Sequence, residues 1–127
     1  MILLLDTSTP ICRVALYEDE FYAREWQADR NLANGLLKFI KDELGTHKKT
    51  FDDIKGICVY KGPGSFTGLR IGLTVMNTLA DTMKIPIVGE TGENWKMSGI
   101  ERLKDSKNDR IITPHYGSEA TITTQRK

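Results

Sequence analysis

Lys61-Gly62-Pro63-Gly64-Ser65-Phe66-Thr67-Gly68-Leu69-Arg70-Ile71-Gly72 is the stretch that decides the reading of this chain. An apolar run, Ile54 to Tyr60, leads into it, and a helical pattern to about Met83 leads out of it. Strand, tight turn and helix therefore follow one another. Glycine permits close backbone approach and positive φ, which such a turn needs. The N–H groups at the helix start can hold an anion. The spacing of the known phosphate loops is absent, however. A Walker loop places Lys and then Ser or Thr after its second glycine, whereas Leu69 and Arg70 follow Gly68; the dinucleotide pattern places its third glycine where Thr67 stands. The residues read best as a structural turn, with Gly64 turning the chain and Ser65 or Thr67 capping the helix. Ser65 has no neighbouring His or acid that forms a recognisable base arrangement.

Before this stretch, Ile2–Leu5, Ile11–Tyr17 and Phe21–Trp26 form an antiparallel meander of strands, separated by Asp6-Thr7-Ser8-Thr9-Pro10 and Glu18-Asp19-Glu20. Asp6 anchors its turn, and the acidic triplet is a solvated hairpin tip. A helix spans Asn31 to Leu44, with Gly45 as its stop. Phe51, Asp52 and Asp53 open a short helical turn. Ile57, Cys58 and Val59 are apolar on both faces, which suits a central strand beside Ile2–Leu5. After the second helix comes a strand at Ile85–Gly89, with Pro86 at its start. The order β-β-β-α-β-α-β predicts an α/β fold with a mixed five-stranded sheet and two long helices on it. Residues 1–92 form the lobe. Residues 93–127 add a short helix at Ser98–Asp105, a charged link at Lys104–Arg110, a last strand at Arg110–Pro114 and a loosely held tail from Gly117.

Composition narrows the function classes. The chain has 127 residues, 39% hydrophobic and 28% charged, with a formal charge of +1. That is one domain with a real core and no strong field for nucleic acid or an anionic membrane. The longest uncharged run, Ile71–Ala80, includes Gly72, Thr74, Asn77 and Thr78, so no membrane span is expected. Met1-Ile-Leu-Leu-Leu reaches Asp6 at once and lacks the pattern of a signal peptide. Cys12 and Cys58 sit in apolar stretches, as reduced core residues of a cytoplasmic protein do. His47 and His115 lie far apart, and no ligand spacing is present. The residues predict no catalytic group, no metal and no cofactor.

The helices carry a stronger signal. In the second, Leu69, Leu73, Met76, Ala80 and Met83 form one stripe, and Ile71, Val75 and Leu79 widen it to roughly 200°, about twice what one core-facing stripe needs. In the first, Leu32, Ala33, Leu36, Leu37, Phe39, Ile40 and Leu44 fill an arc of roughly 160°, interrupted by Glu43. Excess width leaves two readings: a partner surface at Leu32, Leu36, Ile40, Leu69, Leu73, Met76, Ala80 and Met83, or cover by residues 98–127 folding back. The first is favoured because so short a domain has little left to cover a second face. The same faces predict a homodimer when the chain is alone.

Three segments resemble the TsaB family, also called YeaZ: Ile2-Leu3-Leu4-Leu5 closing in Asp6-Thr7-Ser8, the glycine stretch from Lys61 to Gly72, and Ile85-Pro-Ile-Val-Gly89. Within the second, Gly62, Pro63, Gly64, Ser65, Thr67, Gly68 and Arg70 are the loop positions that carry the resemblance. Many members have His at the start of the first long helix, where this chain has Asn31. The resemblance implies a single lobe of the ASKHA type, actin-like and ribonuclease-H-like, in a short one-lobe form. It implies a cytoplasmic, non-catalytic subunit that pairs through two helices with a TsaD-like transferase. That transferase makes threonylcarbamoyladenosine in tRNA. A TsaE-like ATPase acts alongside, and tRNA is met only through the complex. The other class left open is a stand-alone ASKHA-fold nucleotide-binding or peptidase-like enzyme.

Overall fold

The computed structural model describes residues 1–115. Along the chain, β1 is Ile2–Asp6, β2 Ile11–Tyr17, β3 Phe21–Gln27, α1 Leu32–Thr46, β4 Gly56–Tyr60, α2 Phe66–Met83, β5 Ile87–Glu90 and α3 Trp95–Lys104. The strands form one sheet in the order β3-β2-β1-β4-β5. β1 pairs antiparallel with β2 and parallel with β4, in the register Leu3↔Ile57 and Leu5↔Val59. The mixed five-stranded sheet read from the sequence is the sheet observed, and the meander and the β1–β4 neighbourhood are both present. The expected tail from Gly117 lies outside the described residues.

Strand alternation splits the core in two. Leu3, Leu5, Val14, Leu16, Ile57, Val59 and Ile87 face α1 and α2. Leu4, Ala15, Cys58 and Val88 face the other way and meet Trp95 and Ile100 of α3. Cys12 belongs to the first layer and Cys58 to the second, so the sheet lies between them. Both thiols are free. Burial pushes each up to about 12, aided by Asp6 at Cys12 and Glu90 at Cys58. No helix of the described residues is long and apolar enough to cross a membrane.

Local differences from the sequence reading have physical causes. The third helix begins at Trp95, earlier than expected, because that indole is needed under the sheet. Residues 110–114 form no strand. The Asn77 side chain brackets Ile112 instead, donating to its carbonyl and accepting from its amide, each at 2.9 Å. Gly45 does not stop α1. The helix runs on to Thr46, and Lys48, at φ 60°, takes the left-handed position. The Lys48 amide bonds the Gly45 carbonyl, and the Lys49 amide the Leu44 carbonyl, closing a Schellman motif.

Two substitutions test that placement. Gly45 sits in the helix with open space around its Cα. Gly45→Ala should therefore stabilise the protein by about 0.5–1 kcal/mol through helix propensity. Lys48→Gly should add a similar amount, because a left-handed non-glycine residue costs about 1–2 kcal/mol. Thermal melts should rise by about 2–5 °C in each variant. A stop at Gly45 would make its alanine variant less stable.

Candidate functional site

Asp6, Thr7 and Ser8 leave β1 in a tight turn held by the Ser8 amide, which donates to Asp6 Oδ1 at 2.8 Å. Asp6 thus anchors its turn, as its residue type predicts. The glycine stretch closes over this turn. The Ser65 amide donates to the Ser8 carbonyl at 2.7 Å, and Thr7 Oγ1 donates to the Gly68 carbonyl at 2.8 Å. Thr7 is buried, so this bond satisfies its hydroxyl where water is absent.

The glycines have a steric cause here. A Cβ on Gly64 would fall within 3.0 Å of Ser8, and one on Gly68 or Gly72 within 3.0 Å of Thr7. Gly64 is therefore set by close approach and not by the turn angle. Gly62 is the member with a positive φ, 126°, and its peptide bond to Pro63 is cis. Ser65 caps α2, accepting from the Gly68 amide at 3.3 Å, and the Leu69 amide bonds the Ser65 carbonyl at 2.9 Å. The Ser65, Gly68 and Leu69 amides are therefore engaged within the fold. Ser65→Ala should lower stability by about 1 kcal/mol in a denaturant titration, with the sheet intact. A loss several times larger would mean that Ser65 does more than cap.

The helix residues expected at a partner surface lie elsewhere. Leu32, Leu36, Ile40, Leu73, Met76 and Ala80 are buried against the sheet, Leu69 is buried as well, and Met83 is half-buried. The apolar arc is as wide as expected, but its centre is core. What faces outward is its far flank. Ala33 on α1 and Thr67, Arg70, Ile71, Thr74 and Val75 on α2 line a groove of about 350 Å³ between the two helices. Leu37 on α1 is also 49% exposed. Thr67 and Ile71 also line a second groove, of about 380 Å³, that reaches Pro10 and Arg30. At the head of α2, the Arg70 guanidinium lies 5.2 Å over the exposed Phe66 ring.

Glu43, which interrupts the apolar arc of α1, is only 5% exposed. It accepts from Arg24 Nε of β3 at 3.2 Å and lies 3.0 Å from His47 Nε2. The Tyr22 ring packs on His47 at a tilt of 42°, with ring centroids 4.4 Å apart. The sequence signal for this cluster was a lone acid inside an apolar stripe. Among the described residues, no group of three His, Cys, Asp or Glu converges to hold a metal. His115 enters the fold through its backbone, donating to the Lys61 carbonyl at 2.7 Å.

Comparison with known proteins places this architecture. The family model of TsaD, tRNA N6-adenosine threonylcarbamoyltransferase, matches residues 26–91. The tRNA threonylcarbamoyladenosine biosynthesis protein TsaB of Escherichia coli (strain K12) is 35% identical over 109 residues, 80% of this chain and 47% of that protein. The TsaB of Bacillus subtilis (strain 168) is 34% identical over 119 residues, 91% of this chain and 49% of that protein. Among solved structures, YeaZ from Pseudomonas aeruginosa superposes with a TM-score of 0.66 at 33% identity, covering 71% of this chain and 43% of that one. The chain thus spans about half the length of the curated relatives it matches. With the sheet order, the interlocked glycine loop and these matches together, the chain belongs to the TsaB (YeaZ) family.

Proposed function

We propose that this chain is a cytoplasmic, non-catalytic subunit in tRNA threonylcarbamoyladenosine synthesis, and that it supports a TsaD-like transferase by docking it on the outward faces of α1 and α2. The observation that carries this reading is the groove between those helices. Ala33, Ile71 and Val75 give it an apolar lining, with Arg70, Thr67 and Thr74 around them. Leu37 extends the apolar strip on α1. An apolar strip rimmed by polar residues is the usual anatomy of a protein interface. The chain alone covers the same strip by self-association. Relatives named for threonylcarbamoyladenosine biosynthesis supply the process.

The glycine loop supports a scaffold role in a second way. Its Ser65 hydroxyl caps a helix, and its Ser65 amide is bonded to the β1–β2 turn. Bonded in this way, the loop is rigid, and it holds the head of α2 at a fixed position beside α1. In this reading the transferase does the chemistry, tRNA is met through the complex, and a TsaE-like ATPase acts with both. The test is threonylcarbamoyl transfer to tRNA, reconstituted from a TsaD-like partner with and without this chain. Transfer should fall at least tenfold without it. Undiminished transfer would overturn the reading, and so would micromolar binding of ATP and Mg²⁺ by the isolated chain in a calorimetric titration.

A further inference from the structure

β5 is the outermost strand on its side of the sheet, and its outer edge is already occupied. Ile87 and Gly89 are the residues whose backbone points away from β4; the inward bonds come from Pro86 and Glu90, whose carbonyls accept from Ile57 and Lys61. Among the described residues, no strand meets the outward groups. The Ile87 amide donates to Asn108 Oδ1 at 3.1 Å, and the Gly89 amide to Asp109 Oδ2 at 3.0 Å. The Ile87 carbonyl accepts from the Asp109 amide at 2.8 Å, and the Gly89 carbonyl from Arg102 Nη1 at 3.2 Å. Three side chains and the Asp109 amide thus reproduce, group for group, what a sixth strand would offer.

The strap that carries Asn108 and Asp109 is bonded within itself and to two helices. Asn108 Oδ1 also accepts from the Arg110 amide at 2.9 Å. Arg102 bonds both Asp109 and Glu90, the latter at 2.7 Å. Asn77 of α2 holds Ile112 from beneath. Burial raises the Asp109 carboxyl, but the Gly89 amide and Arg102 outweigh it and hold it below the usual range. The opposite edge of the sheet needs no such cover, because β3 carries Arg24 and Glu25 in mid-strand. β5 reads Ile-Val-Gly before Glu90 and is uncharged over its length until then. An uncharged open edge is a template for pairing with another chain.

We propose that residues 107–112 are an edge guard, and that the edge they mask is a pairing site for β5 of a second copy of this chain. The fit is set by the outward groups. An antiparallel pair with its two-fold axis at Val88 would place Ile87 of one copy opposite Gly89 of the other. Each outward N–H and C=O would then find its complement. The same axis makes the contact isologous, so it closes at two copies.

The test is the double variant Asn108→Ala/Asp109→Ala, compared with the parent at the same concentration. At a concentration low enough to keep this edge unpaired, amide exchange at Ile87 and Gly89 should accelerate at least tenfold, with the β4 amides of Cys58 and Val59 unchanged. Sedimentation at tens of micromolar should show species of at least twice the parent's mass, because a parent paired through α1 and α2 carries two such edges. Asn108→Asp keeps the acceptor oxygen and should behave as the parent in both measurements. Unchanged exchange at Ile87 and Gly89 would overturn the guard. Faster exchange without added mass would overturn the pairing site. If the double variant loses its circular dichroism, Asn108→Ala alone decides: Ile87 must then exchange faster while Gly89 does not, and equal behaviour of the two sinks the proposal.

Discussion

Leu73→Asp is expected to unfold this chain, and Val75→Asp to leave it folded but unable to dock. The two residues are neighbours on α2, yet they point to different worlds. Leu73 is 4% exposed and packs in the layer between α2 and the sheet. A carboxylate there has lost the leucine contacts and gained no partner. Truncation alone at such a site costs about 2–5 kcal/mol, and an unpaired buried charge adds several more unless it takes up a proton. A domain of this size holds about 5–15 kcal/mol in all. Circular dichroism of Leu73→Asp should therefore show a chain largely unfolded at 37 °C. Val75 is half-buried and lines the outward groove. Its carboxylate reaches water in a single unpaired chain, at a cost of about 1 kcal/mol. Against an apolar partner surface the same charge is stranded, and affinity should fall at least a hundredfold, about 2.7 kcal/mol. Titration against a TsaD-like partner reads the second effect, and a thermal melt the first. A folded Leu73→Asp would contradict the placement of α2 on the sheet. A Val75→Asp that docks normally would remove the groove from the interface.

That pair of residues marks where sequence reasoning stopped. Periodicity measured the width of the apolar arcs on α1 and α2 and found them too broad for one layer. It could not say which part of each arc met the sheet, and the expectation that put Leu32, Leu36, Leu73 and Met76 at a partner surface took the wrong part. That choice depends on the side chains of β1, β2 and β4, whose register no helical pattern contains. The centre of the arc went to the core, and the flank with Ile71 and Val75 went to the surface. The strand at 110–114 failed for a different reason. Ile111 and Ile112 look like strand residues, but the edge they would join is filled by Asn108 and Asp109. The β-β-β-α-β-α-β order was legible because alternation and helical spacing are local. The glycine stretch was legible as a turn that caps a helix. Its partner, Thr7, was not, because 61 residues separate Thr7 from Gly68.

Gly72→Ala should overpack the contact between α2 and the turn that follows β1. Gly72 is buried, and a Cβ there would press on Oγ1, Cγ2 and Cβ of Thr7, the first two within or at 3.0 Å. Thr7 cannot retreat easily, because its hydroxyl is bonded to the Gly68 carbonyl. Overpacking of this kind costs about 1–3 kcal/mol, and breaking the Thr7 bond adds about 1 kcal/mol. A loss of about 2–4 kcal/mol is expected in denaturant titration. The check on the cause is a cycle with Thr7→Ala, which removes both Oγ1 and Cγ2. Alone it should cost about 1–2 kcal/mol. Combined with Gly72→Ala it should cost less than the sum of the two by at least 1 kcal/mol. Strict additivity would mean that the two residues do not share this space.

The interlock between the first turn and the glycine loop also sets an order of assembly. β1 emerges first, and its antiparallel neighbour β2 follows after a short turn. Its parallel neighbour β4 lies about fifty residues downstream, and the loop that seats Thr7 comes later still. A chain growing from its N-terminus can close the hairpins early, because loop-closure entropy for them is small. Leu3 and Leu5 are to be covered by α1 and α2, but their edge toward β4 stays open until β4 has been made. The slow step of folding is thus expected at the β1–β4 pairing, the contact of greatest sequence separation within the sheet. Newly made chain is most vulnerable to aggregation in the interval between β3 and β4. In the finished fold the glycine loop acts as a latch, tying the turn after β1 to the head of α2 through Thr7 and Gly68.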